Sequence, residues 1–190
     1  MKLADSVDYR IKGKAFRAHL NYLRDGGRFH QVRALVSPEI AAIMDHPPLP
    51  SAWVEGKIQE AIRDGVYELE GAVGVLRMAR AAIDREMLPF FFPVLRGIMR
   101  MVGTSPATLF ARLEDIIRSS CQGIDFRYTA LSERSGVMNV AYHHDRHINE
   151  IGLLTVVPSL ETVFRVCAVA GTVGEPEILG PREARFELHW

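Results

Sequence analysis

The stretch from residue 124 to the end of the chain does most to limit the fold. "IDFRYTALSERSGVMNVAYHH" reads as two strands joined at Glu133 to Gly136. Strand side chains alternate between faces, so Val137, Asn139, Ala141 and His143 share one face and Met138, Val140, Tyr142 and His144 the other. "INEIGLLTVVPSLETVFRVCAVAG" follows as an apolar helix, with Pro158 in its first half and Gly171 as its stop. "TVGEPEIL" and "EARFELHW" make a second strand pair around Gly180-Pro181. Phe186, Leu188 and Trp190 alternate with Glu187 and His189, which buries one face.

The first 122 residues read as helix. In "KAFRAHLNYLRDGG", Phe16, Leu20 and Leu23 recur at helical spacing, and Gly26-Gly27 ends the run. Ser37 is a candidate N-cap with Pro38 in the first helical position, where its missing N–H costs little. "HPPLPS" is a rigid break, after which Ser51 is expected to cap "AWVEGKIQEAI". "GTSPATLFARLEDIIRSS" has the clearest punctuation: Ser105 caps, Pro106 begins the helix, and Leu109, Leu113, Ile116 and Ile117 form its inner stripe. The expected architecture is α+β. N-terminal helices pack on a four-stranded, mainly antiparallel sheet in the order helices-β-β-α-β-β. One domain over 1–190 is expected, mainly helical to 122 and ββαββ from 123.

Charge and cysteine content narrow the function classes. Lys+Arg and Asp+Glu both count 23, so no overall basic field exists to hold a phosphate backbone, and nucleic acid is not an expected partner. The two cysteines, Cys121 and Cys167, form no CxxC, which fits a reducing cytoplasm. "MLPFFFPVLRGIMRMV", residues 87 to 102, is the most apolar stretch, yet it carries Pro89, Pro93, Arg96 and Arg100. A membrane span needs roughly 18 or more apolar residues without such charges. A core or interface helix is expected there instead.

Several clusters invite chemistry. "YHHDRH", residues 142 to 147, gathers three histidines around Asp145. A zinc site needs three or four donors within ~2.0–2.3 Å of one point. His143 and His144 face opposite ways on a strand, so no metal site is favoured; His143, Asp145 and His147 are the residues that would form one. Cys121 has no base beside it in sequence, and no nucleophile–base pair or paired carboxylates stand out, so an enzyme is not expected. "GAVGVL" and "GTVGEP" lack the glycine spacing of a phosphate loop. Phe90, Phe91 and Phe92 cannot share one helix side, since each residue turns ~100°. Some of them must meet another surface. Met87, Phe90 and Phe92 are the interface candidates for a homodimer, because Met-rich surfaces are adaptable.

A resemblance enters on "IKGKAFRAHLNYLRDGG", "LPSAW", "FPVLRGIMRMVGTSPATLFARLEDIIRSSCQGIDFRY" and the ending "ARFELHW". These stretches resemble a myxobacterial family of paralogous proteins of about this length. The element order is similar to a wider group: 4-vinyl-reductase-type small-molecule sensors, haem nitric-oxide-binding domains and transport-particle subunits. The resemblance implies an apolar cavity between helices and sheet and dimerisation through helices. Two departures limit it. Ala184 stands two before Phe186, where the sensor domains commonly carry a zinc-binding Cys. "YTALSER", residues 128 to 134, does not match the Tyr-x-Ser-x-Arg signature with which the haem domains hold haem propionates.

The expected function is a cytoplasmic, non-enzymatic regulatory or sensory module that binds a small apolar ligand or a protein partner. The pocket candidates are Trp53, Phe91, Leu95, Met99, Phe110, Val140 and Phe164. No cofactor is favoured. The alternatives are a dimeric scaffold without ligand, and a sensor that binds haem or zinc.

Overall fold

The computed structural model describes residues 8–89, 93, 97, 105–143 and 147–190, the side chains of 86 and 87 excepted. It falls into two compact units. One comprises Arg10–Phe90 with Glu150–Pro158; the other comprises Met1–Tyr9, Phe91–Asn149 and Ser159–Trp190.

The first unit is helical with one small strand pair. β1 (Arg10–Lys12) pairs antiparallel with β2 (Trp53–Glu55), Ile11 opposite Val54. Neither strand is announced in the sequence, and "WVE" is strand rather than the start of a helix. Three residues are too few to show a period of two, and Ser51 offered a plausible cap. α1 (Gly13–Asp25) buries Phe16, Leu20 and Leu23 and stops where Gly27 takes φ +67. α2 (Phe29–Leu35) and α3 (Pro38–Asp45) follow, and the Ser37 side chain accepts from Ile40 N–H at 3.4 Å.

The proline-rich break after α3 is strapped to α1. Arg17 Nη1 donates to the carbonyls of Pro47 and Pro48 at 3.0 and 3.1 Å, and Arg24 Nη2 to that of Met44 at 3.2 Å. The carbonyls of Pro50 and Ala52 take the free N–H groups of Lys14 and Gly13 at the start of α1. α4 (Gly56–Ala82) is the long helix of this unit and runs into a π-helical turn at Ile83–Met87. α7 (Glu150–Leu154) packs against α4.

The second unit holds the sheet. α5 (Pro106–Phe110) and α6 (Leu113–Arg118) are two short helices where one was expected. Ser105 caps the first, accepting from Thr108 N–H at 3.2 Å. After β3 (Cys121–Gln122) come β4 (Ile124–Ser132) and β5 (Ser135–Tyr142), antiparallel around a two-residue turn. α8 (Val156–Cys167) begins after Thr155, so the expected single helix is two. β6 (Thr172–Val173), β7 (Glu177–Gly180) and β8 (Glu183–His189) complete the chain.

The sheet runs β4-β5-β8-β6, with β7 also pairing β8 and every pairing antiparallel. Five strands therefore replace the four expected, because "TVGEPEIL" splits at Gly174–Pro176. Proline has no N–H for a ladder. Met138 pairs with Phe186 and Val140 with Ala184, all four fully buried, so the face assigned from alternation is the core face. No helix among the described residues is long and apolar enough to cross a membrane.

Candidate functional site

At one end of the sheet, Asp125 and His143 meet. His143 Nε2 lies 2.9 Å from Asp125 Oδ1, and both side chains are about a quarter exposed at 28%. His143 N–H donates to the Gly123 carbonyl at 3.0 Å, a close turn that Gly123 permits with φ +77. The carboxylate fixes the imidazole's orientation. Arg127 Nη2 stands 3.7 Å from the other Asp125 oxygen. Tyr142, one residue earlier and buried, meets the ring of Tyr9 edge-on at 5.8 Å. His147 is exposed, and Asp145 lies outside the described residues. Among the described residues no three His, Cys, Asp or Glu side chains stand together as metal ligands.

The interior of the same unit is aromatic. Phe110 stacks on Tyr128 at 5.6 Å and meets Phe164 edge-on at 5.4 Å, while Trp190 leans on both. Two bare Cα atoms make room. A Cβ on Gly136 would lie 2.4 Å from the Tyr128 ring, and one on Gly171 2.6 Å from the Phe164 ring. The Tyr128 hydroxyl is closed off from solvent without a partner among the described residues, and burial raises its pKa.

These contacts place the pocket candidates. Phe110 and Phe164 touch each other, and Val140 is fully buried in the sheet of the same unit. Trp53 belongs to the other unit, half-buried, with Lys12 Nζ 3.8 Å above its ring. Phe91, Leu95 and Met99 lie outside the described residues, as do Phe90, Phe92 and the side chain of Met87.

The helical unit contains a feature the sequence reading passed over. Gln59, Ile62, Arg63 and Val66 form one buried face of α4, spaced i, i+3, i+4, i+7. Two of the four are polar, and Arg63 is only 3% exposed. The nearest carboxylates, Glu60 and Asp64, stand 3.7 and 3.9 Å from its nitrogens, too far for hydrogen bonds. His19 of α1 lies beside Gln59 and Arg63; burial first, and the cation as well, lower its pKa to about 4. His19 Nδ1, Gln59 Oε1 and Arg63 Nε and Nη2 are buried without hydrogen-bond partners among the described residues. A polar pair on an inward helical phase was the signal that could have found this cluster.

The cysteines are inert at neutral pH. Burial pushes Cys121 up to about 12 and raises Cys167 as well, so neither carries an appreciable thiolate.

No family model and no curated protein matches the chain. Solved structures do. The Fe(II) unliganded H-NOX protein of K. algicida superposes with a TM-score of 0.71 at 11% identity, over 94% of this chain and 96% of that one. An oxygen-binding H-NOX domain related to soluble guanylate cyclases, in its oxygen complex, gives 0.61 at 12% identity, over 94% and 93%. A third structure, concerned with haem redox potential and protein-induced porphyrin distortion, gives 0.64 at 11% identity, over 95% and 100%. At such identities the likeness establishes the fold, which is that of the haem nitric-oxide-binding domains. It also corrects the expectation that favoured no cofactor. The structures that share this fold are Fe(II) and haem proteins by their own descriptions, a sharing that residue patterns in a single sequence do not carry.

Proposed function

We propose that this chain is a non-enzymatic sensory module that holds haem. The observation that supports it is the superposition with Fe(II) and oxygen-bound H-NOX structures over 94% of the chain.

The side chains offer a donor set to compare with haem's needs. Haem iron takes an imidazole, thiolate, thioether or phenolate ligand. Thiolate is disfavoured by the raised pKa values of both cysteines. His19 offers the right chemistry: it stays neutral down to about pH 4, and its Nδ1 is buried and unpartnered among the described residues. The thioethers of Met99 and Met101 are the further candidates in the sequence, outside the described residues. Propionates ask for a cation and hydroxyls. The sequence Tyr142-His143-His144-Asp145-Arg146 keeps the Tyr and Arg of the Tyr-x-Ser-x-Arg signature with His in place of Ser, its last three residues outside the described ones. Haem, when bound, supplies an iron centre for a small diatomic ligand.

Titration of purified chain with haemin tests this reading. The expected result is a sharp Soret band saturating at one haem per chain, weakened in Arg146→Ala. His19→Ala separates the donors: a shifted spectrum assigns the imidazole, an unchanged one the thioethers. A titration indistinguishable from haemin in buffer would overturn the proposal.

A further inference from the structure

The "GAVG" pair, set aside as a phosphate loop, marks a break in α4. Gly71 sits inside the helix with φ +64 and ψ −164, a conformation open essentially to glycine alone. Residues 56–70 and 72–82 are thus two helical segments joined at one residue. Glu70, the last residue before the break, has a side chain only 15% exposed. Its Oε1 accepts from Arg28 Nε at 2.7 Å, and its Oε2 from Arg77 Nη2 at 3.1 Å. Arg28 precedes α2, and Arg77 lies beyond the break, so one carboxylate ties both sides of the joint to a neighbouring element. Gly74 makes this possible, because a Cβ there would lie 2.3 Å from the Glu70 Cβ. The segment after the break ends in the π-helical turn Ile83–Met87, where Arg85 pairs with Asp25 at the end of α1.

We propose that Glu70, Arg28 and Arg77 form an ionic latch that sets the angle of α4 at Gly71 and holds the arm 72–89 in one of two arrangements. A sensor needs a bistable element of this kind. The latch rests on the sensory reading only for its purpose, and it is tested on the chain without haem.

Hydrogen exchange read by mass spectrometry makes the test. Glu70→Gln is expected to speed exchange in peptides covering 72–89 by about tenfold while leaving 13–25 within about twofold. Arg77→Gln, which removes one exposed arm of the latch, is expected to act in the same place more weakly. Adding salt to about 0.5 M should reproduce the effect in the unaltered chain, because Arg28 and Arg77 are half in solvent. Unchanged exchange in 72–89 would overturn the latch, and so would equal acceleration in 13–25, which marks ordinary destabilisation. If Glu70→Gln does not fold, Arg28→Gln and Arg77→Gln decide by the same readout. Localised exchange in a chain that takes no haemin would keep the latch and discard the haem reading.

Discussion

Gly13→Ala is expected to lower the melting temperature by about 10 °C, from about 3 kcal/mol of lost stability in a chain of this size. A Cβ on Gly13 would lie 2.1 Å from the Leu49 carbonyl oxygen and 3.1 Å from its carbon. Both are backbone atoms, so no rotamer change relieves the overlap. The 49–52 turn cannot retreat cheaply. Its carbonyls hold Gly13 N–H at 2.7 Å and Lys14 N–H at 2.9 Å, its own Ala52 N–H is bonded to Leu49, and it leads straight into β2. Moving it would strip the first turn of α1 of its partners, and each buried backbone group left unpaired costs a further ~1–3 kcal/mol. Gly180→Ala is the control: nothing lies within 4 Å of its Cβ position and its backbone is unstrained, so its melting curve should overlay that of the unaltered chain. A Gly13→Ala protein melting within about 2 °C of the unaltered chain would refute the tight seat described for this turn.

The same region shows where sequence reasoning stopped. Gly13 carries no signal of its own; its role comes from a carbonyl 36 positions away. Elements that declare themselves locally were legible. The period-two run of β5 sorted its two faces and that of β8 named the buried one, and Ser37-Pro38 and Ser105-Pro106 named two helix starts. Elements defined by a distant partner were not. β1 and β2 are three residues each and exist because they pair with each other. The site divides likewise. Phe110, Val140 and Phe164 were legible as buried residues, because apolar side chains follow the helical and strand periods. The His19–Gln59–Arg63 cluster was missed because each residue alone reads as an ordinary polar surface residue. Haem stood in the sequence reading only as an alternative, because the architecture that favours it is shared with other proteins at 11–12% identity and leaves no residue pattern in a single chain.

Stability of the chain is expected to fall as pH drops from about 6.5 towards 4, by up to about 3 kcal/mol. The group responsible is His19, whose folded pKa is lowered from 6.5 to about 4 by burial first and by the Arg63 cation as well, against a smaller raising effect of the neighbouring Gln59 amide. Below pH 6.5 the unfolded chain takes a proton on this imidazole and the folded chain does not, so the unfolded state binds more protons and gains on acidification. The loss is complete near pH 4, where folded His19 also protonates and lies charged beside Arg63. The charged groups facing it across α1 and α4 are Arg63 itself and, around Arg63, Glu60 and Asp64. Carboxylates contribute their own acid lability only nearer their ordinary range of about 4, so the interval from pH 6.5 to 5 separates histidine from carboxylate effects, and the His19 variant separates this imidazole from the others. Urea unfolding followed at steps across that interval should show a falling midpoint in the unaltered chain and a nearly flat one in His19→Gln, whose amide cannot take up the proton. The variant should also overtake the unaltered chain near pH 5 if the amide fills the imidazole's place. Parallel slopes in the two proteins would mean that His19 is hydrated in the folded state, and the buried cluster on α4 would lose its physical basis.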